Sequence, residues 1–278
     1  MVVTEPMLSV LGYEFFRNAL FAGIIASMAC GVIGSFVVVK RMVSLSGGIS
    51  HAAFGGIGLG YFFGFDPIIG ATGFSIATAA LIGHIRNTAH QHMDTLVGSV
   101  WAVGMALGIM FVYLTPGNAP DLFGYLFGNI LLVPFNDILI MAFLVALIFL
   151  IVFLFYNQIL AVTFDEEYAD VMNIPSEKIM ILLLVLIALT VVMLIQVVGV
   201  ILVIALLTLP AAIAREFTMK ISHMFYISSL LGAVFTTSGI FLSYLLNVPS
   251  GATIILLSAV VYITVVAMRE AGLNFPAI

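Results

Sequence analysis

The chain has 278 residues, a formal net charge of −5 at pH 7, 63% hydrophobic residues and only 8% charged residues. Because a soluble domain carries about 25% charged residues, this composition excludes an ordinary soluble protein and predicts an all-α polytopic membrane protein. The Lys and Arg residues are scattered, which excludes the basic patch of a nucleic-acid-binding protein. Cys30 is the only cysteine, so the chain can form neither an internal disulfide nor a thiolate metal cluster.

A helix needs about 20 apolar residues to cross the hydrocarbon core of a bilayer, and most apolar segments of the chain approach that length. Single spans are predicted at residues 16–39, 50–63, 68–85, 94–114, 137–155, 222–246 and 251–268. A shorter apolar piece at residues 121–133 is predicted to be interfacial or re-entrant. The apolar run at residues 179–213 is too long for one span, because a single helix would extend roughly 50 Å.

This long run is therefore predicted to fold back at residues 196–199 and to form two helices. If the polar stretch at residues 157–178 is cytoplasmic, all basic residues except Arg17 fall on the cytoplasmic side, as the positive-inside rule favours. One uninterrupted span would carry the basic residues that follow it to the other face. The sequence thus predicts eight or nine transmembrane helices and a cytoplasmic C-terminus.

Residues 44–60 place His51 in an uncharged, glycine-rich segment that is apolar enough to enter a membrane. In a helix the small residues form two neighbouring rows, with Gly48, Ala52, Gly56 and Gly60 in one and Gly47, His51 and Gly55 in the other. An ionisable side chain in lipid costs free energy and by default marks a pathway or a ligand site. The alternative is a histidine that is hydrogen-bonded to a neighbouring helix.

Other polar side chains give weaker indications of a site. His90 and His92, near His84 in a polar loop, have a spacing that allows metal binding, although loop histidines are usually only solvated. Five hydroxyl-bearing residues are candidates for lining a path, namely Thr236, Thr237, Ser238, Ser243 and Tyr244. Hydroxyls in such helices commonly bond to their own backbone, which is the alternative.

The acidic segment at residues 164–175 is the most specific local pattern and predicts a short helix. Its apolar residues fall on one face: Phe164, Tyr168, Val171 and Met172. Acidic residues occupy the first turn, where the helix dipole favours them, while Asn173 and Pro175 end the helix. Amphipathic helices that lie on lipid usually carry Lys and Arg, so docking on a protein partner is favoured over the membrane-surface alternative.

Several motifs in order resemble the integral-membrane permease subunit of the metal-ion ABC importers, the family that takes up zinc, manganese or iron. Ile49, Ser50, His51 and Ala52 match the Ile-Ser-His-Ala motif of that family. Further similar segments are residues 16–41, 94–98, 121–132, 199–215 and 247–252. The segment at residues 164–175 resembles the coupling helix that docks into the ATPase subunit.

The resemblance implies one transmembrane permease domain over residues 1–278, in the cytoplasmic (inner) membrane of a prokaryote. It implies three partners, namely a cytoplasmic ATPase subunit, an extracytoplasmic metal-binding protein and a second permease copy in a homodimer. The chain itself would be no enzyme and would hold no permanent cofactor, only the transported ion. The residues implied in coupling to the ATPase are Phe164, Asp165, Glu167, Tyr168, Ala169 and Asn173.

Two positions depart from the family pattern. Where the family usually has Asp, four residues before the motif histidine, this chain has Gly47, which leaves His51 as the only matched metal ligand. Imidazole suits zinc whereas manganese prefers oxygen ligands, so zinc is favoured, with manganese and iron as alternatives. Asn173 stands where the family often has Gly, and both residues tolerate a left-handed helix end. Pathway or helix-packing roles are expected for Gly47, Gly48, Gly55 and Gly56.

Two other function classes compete with an importer subunit. A proton-driven secondary transporter needs no ATPase, but would be expected to show inverted repeats and membrane-buried carboxylates. The sequence shows no clear repeat and no acidic residue in the middle of a span. An intramembrane hydrolase is suggested only by the adjacent Ser50 and His51, and no GxSxG motif supports it.

Overall fold

A computed structural model describes residues 12–86, 93–116, 122–128, 130–200 and 203–272. Within these ranges the regular elements are twelve α-helices and one short 3₁₀ helix at Ile130–Leu132, as the all-α prediction requires. The helices are α1 (Glu14–Val39), α2 (Val43–Phe63), α3 (Pro67–Ile85), α4 (Met93–Leu114), α5 (Leu122–Phe127), α6 (Phe135–Leu154), α7 (Tyr156–Phe164), α8 (Glu166–Val171), α9 (Ser176–Val198), α10 (Val203–Phe217), α11 (Ile221–Leu246) and α12 (Ser250–Glu270).

Helices α1 and α9 form the centre of the molecule, and α4 lies at its periphery. In the most apolar stretch of α1 and of α9, 72% of the residues are buried, against 22% in α4. α1 packs against α10 and α11, whereas α9 packs against α1 and α3. The large side chains Phe16 and Phe36 of α1 are fully buried. The exposed apolar surface of the outer helices is the surface expected to meet lipid or another membrane protein.

The seven helices α1, α3, α4, α6, α9, α11 and α12 are, among the described residues, long and apolar enough to cross a membrane. α2 is 21 residues long, but its glycines, serines and histidine lower its mean hydropathy. α10 has only 15 residues. A chain of this kind is a membrane protein, but the predicted count of eight or nine spans requires α2 and α10 to cross as well and stays a prediction.

The break predicted in the long apolar run is confirmed. α9 ends at Val198, Gly199 adopts a positive φ of 78°, and α10 begins at Val203. The short piece before α6 is also divided, into α5 and the 3₁₀ helix, and neither part is long enough to span. Gly128, between these parts, approaches Gly199 so closely that neither position has room for a side chain. Residues 121 and 129 of the predicted segment lie outside the described residues.

Helix α2 packs against α3 and α4 at backbone distance. A Cβ atom on Gly56 would overlap the Gly70 carbonyl oxygen of α3, and one on Gly58 would lie 2.5 Å from the Gly108 carbonyl oxygen of α4. On the other side of the contact, a Cβ on Gly104 would lie 2.5 Å from the Ala52 Cα. Helices in lipid associate through such close packing of small residues, so the glycine rows seat α2 between α3 and α4.

The variant Gly56→Val should therefore fail to pack α2 on α3, because the obstacle is rigid backbone. We expect a loss of roughly 3 kcal/mol, the upper end of the cost of overpacking. Gly73→Val in α3 is the matched control, since nothing described lies within 4 Å of a Cβ at that position. Thermal unfolding in detergent measures the difference. Equal stability of the two variants would show that the close α2–α3 contact is dispensable.

Most basic residues gather at one end of the bundle, which we call the basic end. Lys40 and Arg86 both contact Glu166. Arg215 donates to the Val38 carbonyl oxygen, and Arg269 pairs with Glu216. The ends of α1, α3, α10 and α12 therefore meet on the same side as α8. This clustering agrees with the common side that the charge pattern predicts for these residues.

Candidate functional site

His51 lies in the third turn of α2 and is buried, with only 7% of its surface exposed. Its Nδ1 atom is also buried and has no hydrogen-bond partner within the described part of the chain. A buried polar atom without a partner costs about 1–3 kcal/mol. The alternative of a histidine bonded to a neighbouring helix is therefore not supported at this nitrogen.

Two neighbours define the surroundings of His51. The imidazole lies flat against the indole of Trp101 in α4, with ring centroids 4.0 Å apart and an interplanar angle of 6°. The adjacent Ser50 donates its hydroxyl to the Val200 carbonyl oxygen at 3.0 Å, between α9 and α10. This bond ties α2 to the α9–α10 connection and gives the Ser50 hydroxyl a structural partner, which weakens the hydrolase alternative.

The four glycines predicted to line a path or pack helices all face other helices. A Cβ atom added to Gly47 would lie 2.9 Å from the Ile204 Cδ1, and one added to Gly48 would lie 2.6 Å from the Val97 Cγ1. On Gly55 it would lie 3.0 Å from the Gly104 carbonyl oxygen, and on Gly56 it would overlap backbone. These distances support the helix-packing role, while a pathway role stays a prediction.

The other polar residues singled out in the sequence either contact another protein group or lie outside the described residues. His84 is exposed, and its Nδ1 lies 3.3 Å from the Glu177 carboxylate. His90 and His92 lie outside the described residues. In α11, Thr236 donates to the Gly232 carbonyl oxygen at 2.9 Å, as the backbone-bonding alternative predicts. No group of three or more His, Cys, Asp or Glu side chains suited to hold a metal occurs in the described ranges.

The acidic segment forms a shorter helix than the sequence predicts. Phe164 ends α7, and α8 covers only Glu166–Val171. The two helices are separate because Asp165 is extended, with φ −151° and ψ 107°, and caps α8 by accepting the Tyr168 backbone N–H at 2.9 Å. Asn173 has the left-handed conformation expected of a helix end, with φ 58°.

An apolar surface is exposed around α8 at the basic end. It consists of Phe164, Tyr168, Val171 and Met172, which are 56–79% exposed, and we call it the coupling surface after the role that the sequence predicts for this segment. Ala169, also predicted to act in coupling, is fully buried, and its carbonyl accepts the Ile174 N–H at 2.9 Å. Ala169 is therefore placed to pack α8 onto the bundle rather than to contact a partner through its side chain.

Glu166 anchors α8 to the bundle, a function that the sequence did not reveal. Arg86 donates two hydrogen bonds to its carboxylate, at 2.7 and 2.9 Å, and Lys40 lies 2.6 Å away. These partners come from the ends of α3 and α1. Only the acidic composition around residue 166 was visible in the sequence, because the partners are distant along the chain.

The ion pairs also determine the pKa of Glu166. Burial alone raises the pKa of this carboxyl, but the hydrogen bonds and charges of Arg86 and Lys40 outweigh burial, so the pKa falls below its ordinary value. A carboxyl whose pKa is lowered on folding stabilises the fold fully above its ordinary pKa. That stabilisation is lost as the pH falls through the lower value of the folded state.

The variant Glu166→Gln should loosen α8, because it removes the charge that holds Arg86 and Lys40. We expect about 1 kcal/mol of local destabilisation after allowing for partial exposure. Limited proteolysis between residues 164 and 175 measures this effect, with Glu177→Gln as control for loss of an exposed carboxylate. Protection of this segment from proteolysis in the wild type should be constant between about pH 6 and 8. Equal cleavage of both variants would contradict the anchoring function.

The comparisons with known proteins agree with this architecture. The model of the ABC 3 transport family matches residues 12–269. An uncharacterized membrane protein of Synechocystis sp. is 47% identical over 266 residues, which cover 96% of this chain and 95% of that protein. The manganese transport system membrane protein MntC of Halalkalibacterium halodurans is 33% identical, with 91% of this chain and 86% of that protein covered.

A solved structure is similar as well. PsaBC from Streptococcus pneumoniae in complex with Fab superposes with a TM-score of 0.84 at 33% sequence identity. The superposition covers 93% of this chain and 94% of that one. Because the family match extends over nearly the whole sequence, this chain belongs to the ABC 3 transport family, as its motifs predicted.

Proposed function

We propose that the chain is the permease subunit of an ATP-binding-cassette importer that carries a divalent transition-metal ion across the cytoplasmic membrane of a prokaryote. The observation that carries this proposal is the buried imidazole of His51, whose Nδ1 is unpaired among the described residues. Relatives named as metal transport proteins support the substrate class. The second support is the coupling surface at the basic end, where an ATPase subunit would dock.

His51 has the chemistry of a transient metal ligand. A neutral imidazole is the commonest metal ligand in proteins, and its attraction to a cation is stronger at a buried position than in bulk water. A carrier that must release its ion needs few and exchangeable ligands rather than a closed cage. One imidazole from each permease copy, with water in the other coordination positions, would meet that requirement.

A second copy of the chain is part of this proposal. Two permeases related by a two-fold axis would bring two His51 side chains to one path. Trp101 and other large apolar residues of α4 are exposed in the single chain, with Tyr113 88% exposed. Lipid or the second copy would cover them in the membrane.

The donor set favours zinc within the divalent transition metals. Gly47 supplies no side chain, so the turn of α2 before His51 offers no carboxylate. Imidazole ligands suit zinc, whereas manganese prefers oxygen ligands. Relatives such as MntC are named for manganese transport, which makes manganese the second candidate, and iron is the third.

The partners and sidedness follow from the two ends of the molecule. The basic end would face the cytoplasm, as the positive-inside tendency favours, and the C-terminus would lie on the same side. An ATPase subunit would dock on Phe164, Tyr168, Val171 and Met172. An extracytoplasmic metal-binding protein would deliver the ion at the opposite end.

Competition among metals tests the proposal in the assembled transporter. Radioactive zinc uptake is measured in vesicles that contain the permease, its ATPase and its metal-binding protein, with unlabelled manganese, iron(II) or magnesium in excess. We expect excess manganese to inhibit zinc uptake only weakly and excess magnesium not to inhibit it. Uptake of manganese in preference to zinc would reverse the metal assignment, and no ATP-dependent uptake of any transition metal would refute the function.

A further inference from the structure

Trp101 is the only tryptophan of the chain, and its position against His51 is held from both sides. One turn earlier on α4, Val97 contacts α2 at Gly48, where a Cβ would lie 2.6 Å from the Val97 Cγ1. One turn later, Gly104 meets Ala52 at backbone distance. Because α4 is seated on α2 at both points, the indole has little freedom to slide along the imidazole.

The indole also covers the turn of α2 that precedes His51. A Cβ atom on Gly47 would lie 4.0 Å from the Trp101 Cζ3 and 2.9 Å from the Ile204 Cδ1. The ring therefore extends past the imidazole to the position where a longer residue 47 would place its side chain.

We infer that Trp101 is a positioning residue of the proposed metal site, and this inference rests on the proposed function. Its indole lies parallel to the His51 imidazole and fixes the plane of that ring. The lone pair of an imidazole nitrogen lies in the ring plane, so fixing the plane fixes the direction from which a divalent transition-metal ion must approach. The site is then pre-organised before the ion arrives.

Loss of the stack should weaken ion capture without slowing the transport cycle. In vesicles that contain the whole transporter, Trp101→Leu is expected to raise the KM for metal roughly three- to tenfold, from the usual strength of an aromatic pair. The maximal rate should be unchanged. Trp101→Phe keeps a flat ring and should restore most of the wild-type KM. The control is Tyr226→Leu, which removes an exposed aromatic side chain of α11, and it should leave KM unchanged.

The indole provides a spectroscopic readout of the same arrangement. Cobalt(II) quenches indole fluorescence at short range, so titration of the purified transporter with Co²⁺ should quench the Trp101 emission saturably. The Trp101→Phe transporter supplies the background from tryptophans of the partner subunits. His51→Gln should abolish the saturable quenching, because the ion is no longer held beside the ring.

The outcomes separate this inference from the function on which it rests. A wild-type KM for Trp101→Leu, in a transporter where His51→Ala has lost uptake, would overturn the positioning function and leave the metal site intact. Normal uptake by His51→Ala would overturn the metal site itself. If Trp101→Leu does not assemble, the Co²⁺ titration of the wild type decides, since absence of saturable quenching contradicts the inference.

Discussion

His51→Ala should reduce metal uptake by the complete transporter to background, a loss of at least about 100-fold. Removal of residues that merely support a metal ligand already costs 10–100-fold, and His51 is the only ligand that the motif resemblance assigns to each copy. The change removes a buried side chain that bears an unpaired nitrogen within the described structure. We therefore expect the protein to fold, to assemble with its partners and to retain basal ATP hydrolysis.

Three measurements check this result. Uptake of radioactive metal by vesicles gives the transport rate, size-exclusion chromatography gives the assembly, and phosphate release gives the basal ATP hydrolysis. His84→Ala is the matched control, because His84 is exposed at the basic end and lies against Glu177, whereas His51 is buried inside the helix bundle. Wild-type uptake by His51→Ala would remove this residue from the transport path. Loss of assembly would give it a structural function.

Tyr168→Asp should uncouple ATP hydrolysis from transport or release the ATPase subunit. Tyr168 is 57% exposed in the middle of the coupling surface, between Phe164 and Met172. Buried aromatic residues contribute about 2 kcal/mol or more at interface hot spots. A new carboxylate there would also have to lose its water without gaining a partner. Copurification of the ATPase and the ratio of metal transported to ATP hydrolysed measure the effect.

Met219→Asp is the control for this variant. Met219 is 83% exposed in the turn between α10 and α11, so the substitution places a charge on another exposed apolar residue outside the coupling surface. We expect it to copurify with the ATPase as the wild type does. Normal coupling in Tyr168→Asp would instead indicate that α8 lies on the membrane surface, the alternative that the sequence left open.

The sequence predicts the elements of the fold wherever length and charge determine the result. The break at Gly199 followed from the length of one apolar run and from the basic residues beyond it. The second span was predicted only from residue 50, whereas the helix that contains it, α2, begins at Val43. Serines and glycines at residues 44–48 lower the apolar character of that part of the chain, but it is helical, with Gly48 close to Val97 of α4 and Gly47 close to Ile204 of α10.

In the candidate site, too, some features could be predicted from the sequence and others could not. His51 is conspicuous in the sequence because an ionisable residue is rare in an apolar segment. Its stacking on Trp101 and the anchoring of Glu166 by Arg86 and Lys40 depend on residues that only tertiary packing brings together. No local period or motif encodes these contacts. The division of the coupling segment at Asp165 was also missed, because an N-cap residue in the middle of an acidic run resembles its neighbours.

ATP dependence of metal uptake in reconstituted vesicles tests the central claim most directly, namely that this chain is a conduit driven by a separate motor. Vesicles with the chain, its ATPase subunit, its metal-binding protein and ATP should accumulate zinc or manganese. Vesicles that lack the ATPase or ATP should show only leakage, with or without a proton gradient. Uptake by the chain alone, driven by a proton gradient, would contradict the account and identify a secondary transporter.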